Sequence, residues 1–242
     1  MMLLTKDSRL SEGIFFDSSL IPVIYRFGIS LGVGDKSIEE LCEEKGLPTS
    51  FFLAILNTFI NPTYSPEDVE NIFDTNILLD YLEKTNDYYS RIQLPNIERH
   101  FRLLIERSDG DNNLEHIFSF FNELKQELES SINSDHSQWF PMIRHQVEDT
   151  IYVANSSLPE GDYINLLPDG LGNSFGACNN VEEKLNDLAS IFVVHLKGEY
   201  DKNLCMAVVN AIFTLRKDIN QNNRIRNRIL LPAVIRLFGL NI

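Results

Sequence analysis

With 242 residues, 43% of them hydrophobic, the chain is long enough to bury a real core, and its length suits one ordinary domain plus a smaller one. Its 35 acidic side chains against 21 basic ones leave a formal charge of −14, which repels a polyanion unless the few cations gather on one surface, so nucleic acid is a poor first partner. The opening MMLLTKDSRLSEG is too short an apolar run for a secretory signal, nothing approaches the ~20 apolar residues of a membrane span, and Cys42, Cys178 and Cys205 show no CxxC; the expectation is a cytoplasmic protein with no membrane contact, disulfide framework or thiolate metal site.

Taken in chain order, Leu20 to Phe27 reads as a short helix ending at Gly28, with Gly32 and Gly34 as a flexible connection. Ser37 and Glu40 form a capping-box pattern that opens a helix running to Glu44 and stopping at Gly46. TSFFLAILNTFI, from Thr49 to Ile60, is apolar nearly all round, so its neighbours must cover it, and Asn61-Pro62 ends it. Residues 1–62 are expected to form a small helical domain and 63–242 a second, larger one. A helix, glycine turn and helix could pass for a DNA reader. However, the first helix of the pair carries Glu39, Glu40, Glu43 and Glu44, and the second has no Lys or Arg to meet a phosphate.

Ser65-Pro66-Glu67 is a helix-start signature. From there the pattern runs through Leu79, Leu82, Asn86 and Tyr89, bends near Pro95, and continues as Leu94, Ile97, Phe101 and Leu104. A second long helix covers Leu114 to Asp135 and extends through Trp139 and Phe140 past Pro141. The stretch from Asn155 to Ala177 lacks periodicity, and a loop that long covers something or moves, a lid in one reading. A third helix holds Cys178 to His195, and a fourth Cys205 to Arg228, ending around Pro232. Four amphipathic helices of this length predict an all-α protein whose second domain is an antiparallel bundle.

Six residues sit on the inward stripes of these helices where apolar side chains belong. Leu114, Ile117, Phe121, Leu124, Leu128, Ser131 and Asp135 alternate spacings of three and four, which places Ser131 and Asp135 at the end of one stripe. Ile212, Leu215, Ile219, Asn222, Arg226 and Ile229 place Asn222 and Arg226 mid-stripe, and Asn86 and Cys178 hold similar places on the other two helices. A buried polar group costs free energy unless it is paired, so either these residues meet one another or they are relics of a binding site. Asn and Ser are poor ligands for iron or zinc and Arg cannot ligate, which leaves Asp135 and Cys178 as plausible metal donors.

The segments EKTNDYYSRIQLPNIERHF, SINSDHSQWFPMI, NNVEEKLNDL and DINQNNRIRNRILLP resemble the four ligand-bearing helices of the hemerythrin-like bundle in the iron-sulfur cluster repair di-iron proteins, and YRFGISLGVGDKSIEELCEEKGL resembles their N-terminal domain. The resemblance implies a hemerythrin-like up-and-down four-helix bundle behind a small helical domain. It also implies a di-iron centre on four histidines and two glutamates. The histidine positions fall here on Asn86, Ser131, Cys178 and Asn222, and the glutamate positions on Asp135 and Arg226, so only Asp135 keeps its chemical type. Where the family has a cysteine pair before its glycines, this chain has Gly32 and Val33.

The resemblance with its ligands replaced therefore implies a non-catalytic regulatory or protein-interaction module without a cofactor. The alternatives are a di-iron stress-response protein, which would need iron, and a transcription regulator. Arg226 is expected to supply the positive charge the iron once gave, pairing with Asp135, while Asn86, Asn222 and Ser131 hydrogen-bond around the pair. Blander readings stand beside these. An inward Asn often only fixes helix register; His100, His116, His136, His145 and His195 read as surface or satisfied histidines; Cys178 reads as a small buried side chain. Arg216, Lys217, Arg224 and Arg228 make the last helix the most basic segment, read first as a solvated flank and second as a face for an anion or an acidic partner. The expected partner is an unidentified protein or a second copy of the chain.

Overall fold

The computed structural model describes residues 2–66, 74–108, 113–155 and 171–238, with backbone alone at 150–155 and 171–179. Every regular element among the described residues is a helix, and the only ladder contact among them is an isolated antiparallel bridge between Arg9 and Ser37. None of these helices is long and apolar enough to cross a membrane. The chain forms two compact units: Met1–Lys84 with Met142–Leu167 and Gln221–Ile242, and Thr85–Pro141 with Pro168–Asn220.

In the first unit, α1 (Leu10–Phe16), α2 (Leu20–Arg26), α3 (Ile38–Lys45) and α4 (Thr49–Ile60) follow one another closely. The capping box of α3 is formed: Ser37 accepts from the Glu40 N–H, Glu40 accepts from the Ser37 N–H, and Gly46 closes the helix at φ 64°, a conformation that a side chain would strain. The apolar α4 is covered as its composition demands, with Phe51, Phe52, Ile55, Leu56 and Phe59 almost entirely buried. Phe27 packs edge-on against Phe52 at 4.9 Å between ring centroids and stacks on Tyr81 at 5.0 Å. The two polar residues late in α4 hold the N-terminal segment: Asn57 accepts from the Leu4 N–H and donates to the Leu4 carbonyl, both at 2.9 Å, and Asn61 donates to the Met2 carbonyl at 2.8 Å. A buried amide is thereby satisfied as fully as in a strand ladder.

Helix α5 (Thr75–Tyr88) does not start at Pro66. Ser65 and Pro66 are not helical, Glu67 lies outside the described residues, and Asp74 begins the helix by accepting from the Asn76 N–H at 2.8 Å. Then come α6 (Leu94–Glu106), α7 (Leu114–Ser134), α8 (Phe140–Asn155), α9 (Leu171–Ser190), α10 (Lys202–Ile225) and α11 (Leu231–Leu237). Among the described residues, four wide turns of π-helix, at Tyr89–Gln93, Asp135–Trp139, Ile191–His195 and Arg226–Leu230, follow α5, α7, α9 and α10.

Three of these turns have one cause. Pro95, Pro141 and Pro232 stand second in α6, α8 and α11, and an α-helix would drive each ring into the carbonyl four residues back. Opening the preceding turn by one residue relieves the clash. The Leu94, Phe140 and Leu231 N–H groups then reach back five residues, to the carbonyls of Tyr89, Asp135 and Arg226. The chain therefore passes Pro232 and stays helical to Leu237, whereas the sequence reading ends the helix around Pro232.

In the second unit the stripes of α6, α7, α9 and α10 share one core, with Leu94, Ile97, Phe101 and Leu104 packed among Leu114, Phe121, Leu124, Val181, Leu185, Leu188, Val208, Ile212 and Leu215. Phe101 touches the rings of Phe118, Phe121 and Phe192 at 5.1, 6.0 and 5.3 Å between centroids. Asn113 closes the end of the third wide turn, donating to the His195 carbonyl and accepting from the Lys197 N–H, both at 2.9 Å.

Candidate functional site

In the second unit the stripes bring Asn86 and Asp135 together. Each side chain is 2% exposed, and the Asn86 Nδ2 donates to Asp135 Oδ2 at 2.9 Å. Helix α5 supplies the amide three residues before its wide turn, and the carboxylate stands on the first residue of the wide turn after α7. Ser90, within the first wide turn, donates its hydroxyl to the Asn86 carbonyl at 3.0 Å, tying the widened backbone to the residue that holds the carboxylate.

Ser131 is half-buried, and the inward place next to it belongs to Ile132 at 6% exposure. This corrects the expected stripe. Alternating steps of three and four average 3.5 residues, whereas an α-helix turns every 3.6, so the face drifts by ~20° per heptad. Ile132 lies about five full turns below Leu114 and Ser131 falls to one side. Cys178 belongs to α9 by backbone, and its side chain lies outside the described residues; of the loop expected at 155–177, Asn155 ends α8 and residues 171–177 open α9, while 156–170 lie outside the described residues.

Asn222 and Arg226 belong to the first unit and are 3% and 4% exposed, one turn apart on the buried face. The Asn222 Oδ1 is buried without a hydrogen-bond partner among the described residues. Of the basic residues expected to form a solvated flank, Lys217 is exposed, whereas Arg224 and Arg228 are engaged with the end of α4 and the segment after it. Gln221 Nε2 and Arg224 Nη2 donate to the Phe59 carbonyl at 2.9 and 2.8 Å, while Arg228 donates to the carbonyls of Tyr64 at 2.5 Å and Pro62 at 2.6 Å. Two of these bonds satisfy the Phe59 carbonyl in the last turn of α4 and two hold the segment just after it, and the cations complement the negative pole of that helix. Arg216 instead lies over the Phe213 ring at 5.5 Å.

His116, His136, His145 and His195 are exposed and His100 is half-buried. The buried thiols of Cys42 and Cys205 are pushed up from their ordinary value by burial, which keeps them protonated and weakly nucleophilic. A carboxylate iron centre needs imidazole and carboxylate lone pairs turned toward the metal. Here the Asn86 amide turns hydrogens toward the Asp135 carboxylate, and a guanidinium and a hydroxyl stand at two further positions. This donor set does not fit the di-iron centre that the resemblance implies.

A feature the stripes did not reveal lies directly outside the Asn86–Asp135 bond. Asp87, Ser90 and Arg91 on one wall, and Glu129, Ile132, Asn133 and His136 on the other, line an open cleft of about 400 Å³. Its signal in the sequence was a second, polar stripe, Glu129, Asn133, His136, running beside the apolar one at spacings of four and three.

Comparison of the chain with protein-family models, with curated proteins and with solved structures finds no match in any of the three.

Proposed function

We propose that the chain is a non-catalytic regulatory or protein-interaction module, built on a hemerythrin-like bundle that has lost its di-iron site. The observation that carries this reading is the Asn86–Asp135 hydrogen bond, in which the one carboxylate at a family ligand position is engaged by an amide in a dry interior. The amide turns its hydrogens, not a lone pair, toward the carboxylate, which is the opposite of what a shared metal ion would require. Second support comes from the resemblance itself: every imidazole position carries an amide, a hydroxyl or a thiol. Against the transcription-regulator alternative stands α4, the helix that would enter a groove, which is buried along most of its surface and has no cation.

The test is metal analysis of protein purified under reducing, iron-replete conditions, with the melting temperature measured before and after a chelator. The module reading expects substoichiometric iron and no change in melting. About two tightly bound irons per chain, with a chelator-sensitive melt, would replace it with the di-iron stress-response alternative.

A further inference from the structure

We propose that the cleft lined by Asp87, Ser90, Arg91, Glu129, Asn133 and His136 is a binding site for a small zwitterion of the α-amino acid class. Its volume of about 400 Å³ lies at the small end of the ~300–1,000 Å³ typical of small-molecule sites. The lining carries charge of both signs. An anion alone would face Asp87 and Glu129, a cation alone would face Arg91, and an apolar molecule would meet only Ile132. Among the described residues no group of three or more His, Cys, Asp or Glu side chains is placed to hold a metal ion. A molecule carrying both charges a few bonds apart matches both sets, with its ammonium toward Glu129 and Asp87 and its carboxylate toward Arg91, His136 and Asn133.

The receiving groups are open for this role. Arg91 pairs with Asp87 through Nε at 3.3 Å, and its guanidinium, on a side chain 75% exposed, has no other ion pair among the described residues. Glu129 is 3.9 Å from Lys125, too far for a hydrogen bond. The Asn133 amide has no hydrogen-bond partner among the described residues, and the His136 ring only meets the edge of Phe140 at 6.1 Å. Both walls are interrupted here by wide turns, at Tyr89–Gln93 and Asp135–Trp139, the irregularity that recurs at functional sites. Asp87 and His136 are also the residues immediately after Asn86 and Asp135, so an occupant would press on the two backbones that carry the buried bond.

The site stands on the cleft alone; only the idea that binding regulates a partner rests on the module reading. The experiment titrates the full chain with glycine, and then with each of the other common α-amino acids to 10 mM-scale concentrations, following amide shifts of Ser90, Asn133 and His136 by NMR. Acetate and methylamine serve as single-charge controls. The expected result is saturable shifts with at least one amino acid, weakened roughly tenfold or more in Arg91→Ala and in Glu129→Gln and unchanged in His116→Ala. If no amino acid shifts these amides, if both variants bind as the wild type does, or if acetate or methylamine binds as tightly, the proposal is overturned. Iron in the same sample would overturn the module reading without touching this result, which keeps the two failures apart.

Discussion

The two units handle most of their buried polarity differently, although the first also holds one buried side-chain pair, Arg26 donating to Tyr81 at 3.3 Å. In the first, Asn57, Asn61, Gln221, Arg224 and Arg228 all bond to main-chain groups, at Leu4, Met2, Phe59, Tyr64 and Pro62, where a segment end or a helix end leaves donors and acceptors open. In the second, Asn86 bonds to another buried side chain, Asp135. Polar residues of the first kind are demanded by the fold. The second kind would be dispensable to an apolar repacking, and its presence therefore says something about ancestry or use.

The contrast can be broken by mutation, beginning where the effect is largest. Asn57→Leu orphans two buried main-chain groups of Leu4 at ~1–3 kcal/mol each, so urea unfolding should show a loss of ~2–6 kcal/mol. Next, Asp135→Ala and Asn86→Ala should each destabilise by ~1–3 kcal/mol, and the double variant by less than their sum, with a coupling of ~0.5–3 kcal/mol. Additive losses would show that the bond contributes nothing specific. The same cycle on Asp135 and Arg226 tests the ion pair expected from the sequence.

Smaller again is Arg228→Lys. A single ammonium cannot reproduce a fork that donates to two carbonyls, so a loss of ~1 kcal/mol is expected despite the retained charge. An effect no larger than that of Arg99→Lys, on the exposed face of α6, would demote the capping role. Smallest is the acid limb of stability at Glu98, whose carboxyl is held below its ordinary value by hydrogen bonds from Lys125 at 2.6 Å and Arg102 at 2.7 Å. Since the folded-state value is the lower one, this contribution is present above the ordinary carboxylate range and is lost as pH falls through the folded value. Glu98→Gln should flatten that limb in melts recorded from pH 6 to about pH 3.

Most of the helical architecture was legible because burial leaves period in the sequence: Leu114 to Leu128 reads inward, and it packs inward. The Asn86 and Asp135 positions were legible for the same reason, as polar interruptions of an apolar period. Ser131 was misread because a 3.5-residue rule was extended over a helix that turns at 3.6. The roles of Arg224 and Arg228 were not legible at all. Their acceptors lie more than 160 positions away in sequence, and a carbonyl carries no side-chain letter to announce itself. The wide turns left a trace that stripe-counting passes over, a step of five from Tyr89 to Leu94 just before a proline.

That step has a further consequence. The extra residue in Tyr89–Gln93 sets the rotational phase of everything after it, so Ile97, Phe101 and Leu104 face the core only because the count is one longer than a plain helix needs. Shortening the chain there by a single residue would swing the following helix by more than a quarter turn and carry three buried side chains toward water. For such a segment, sequence length is as strict a requirement as side-chain identity.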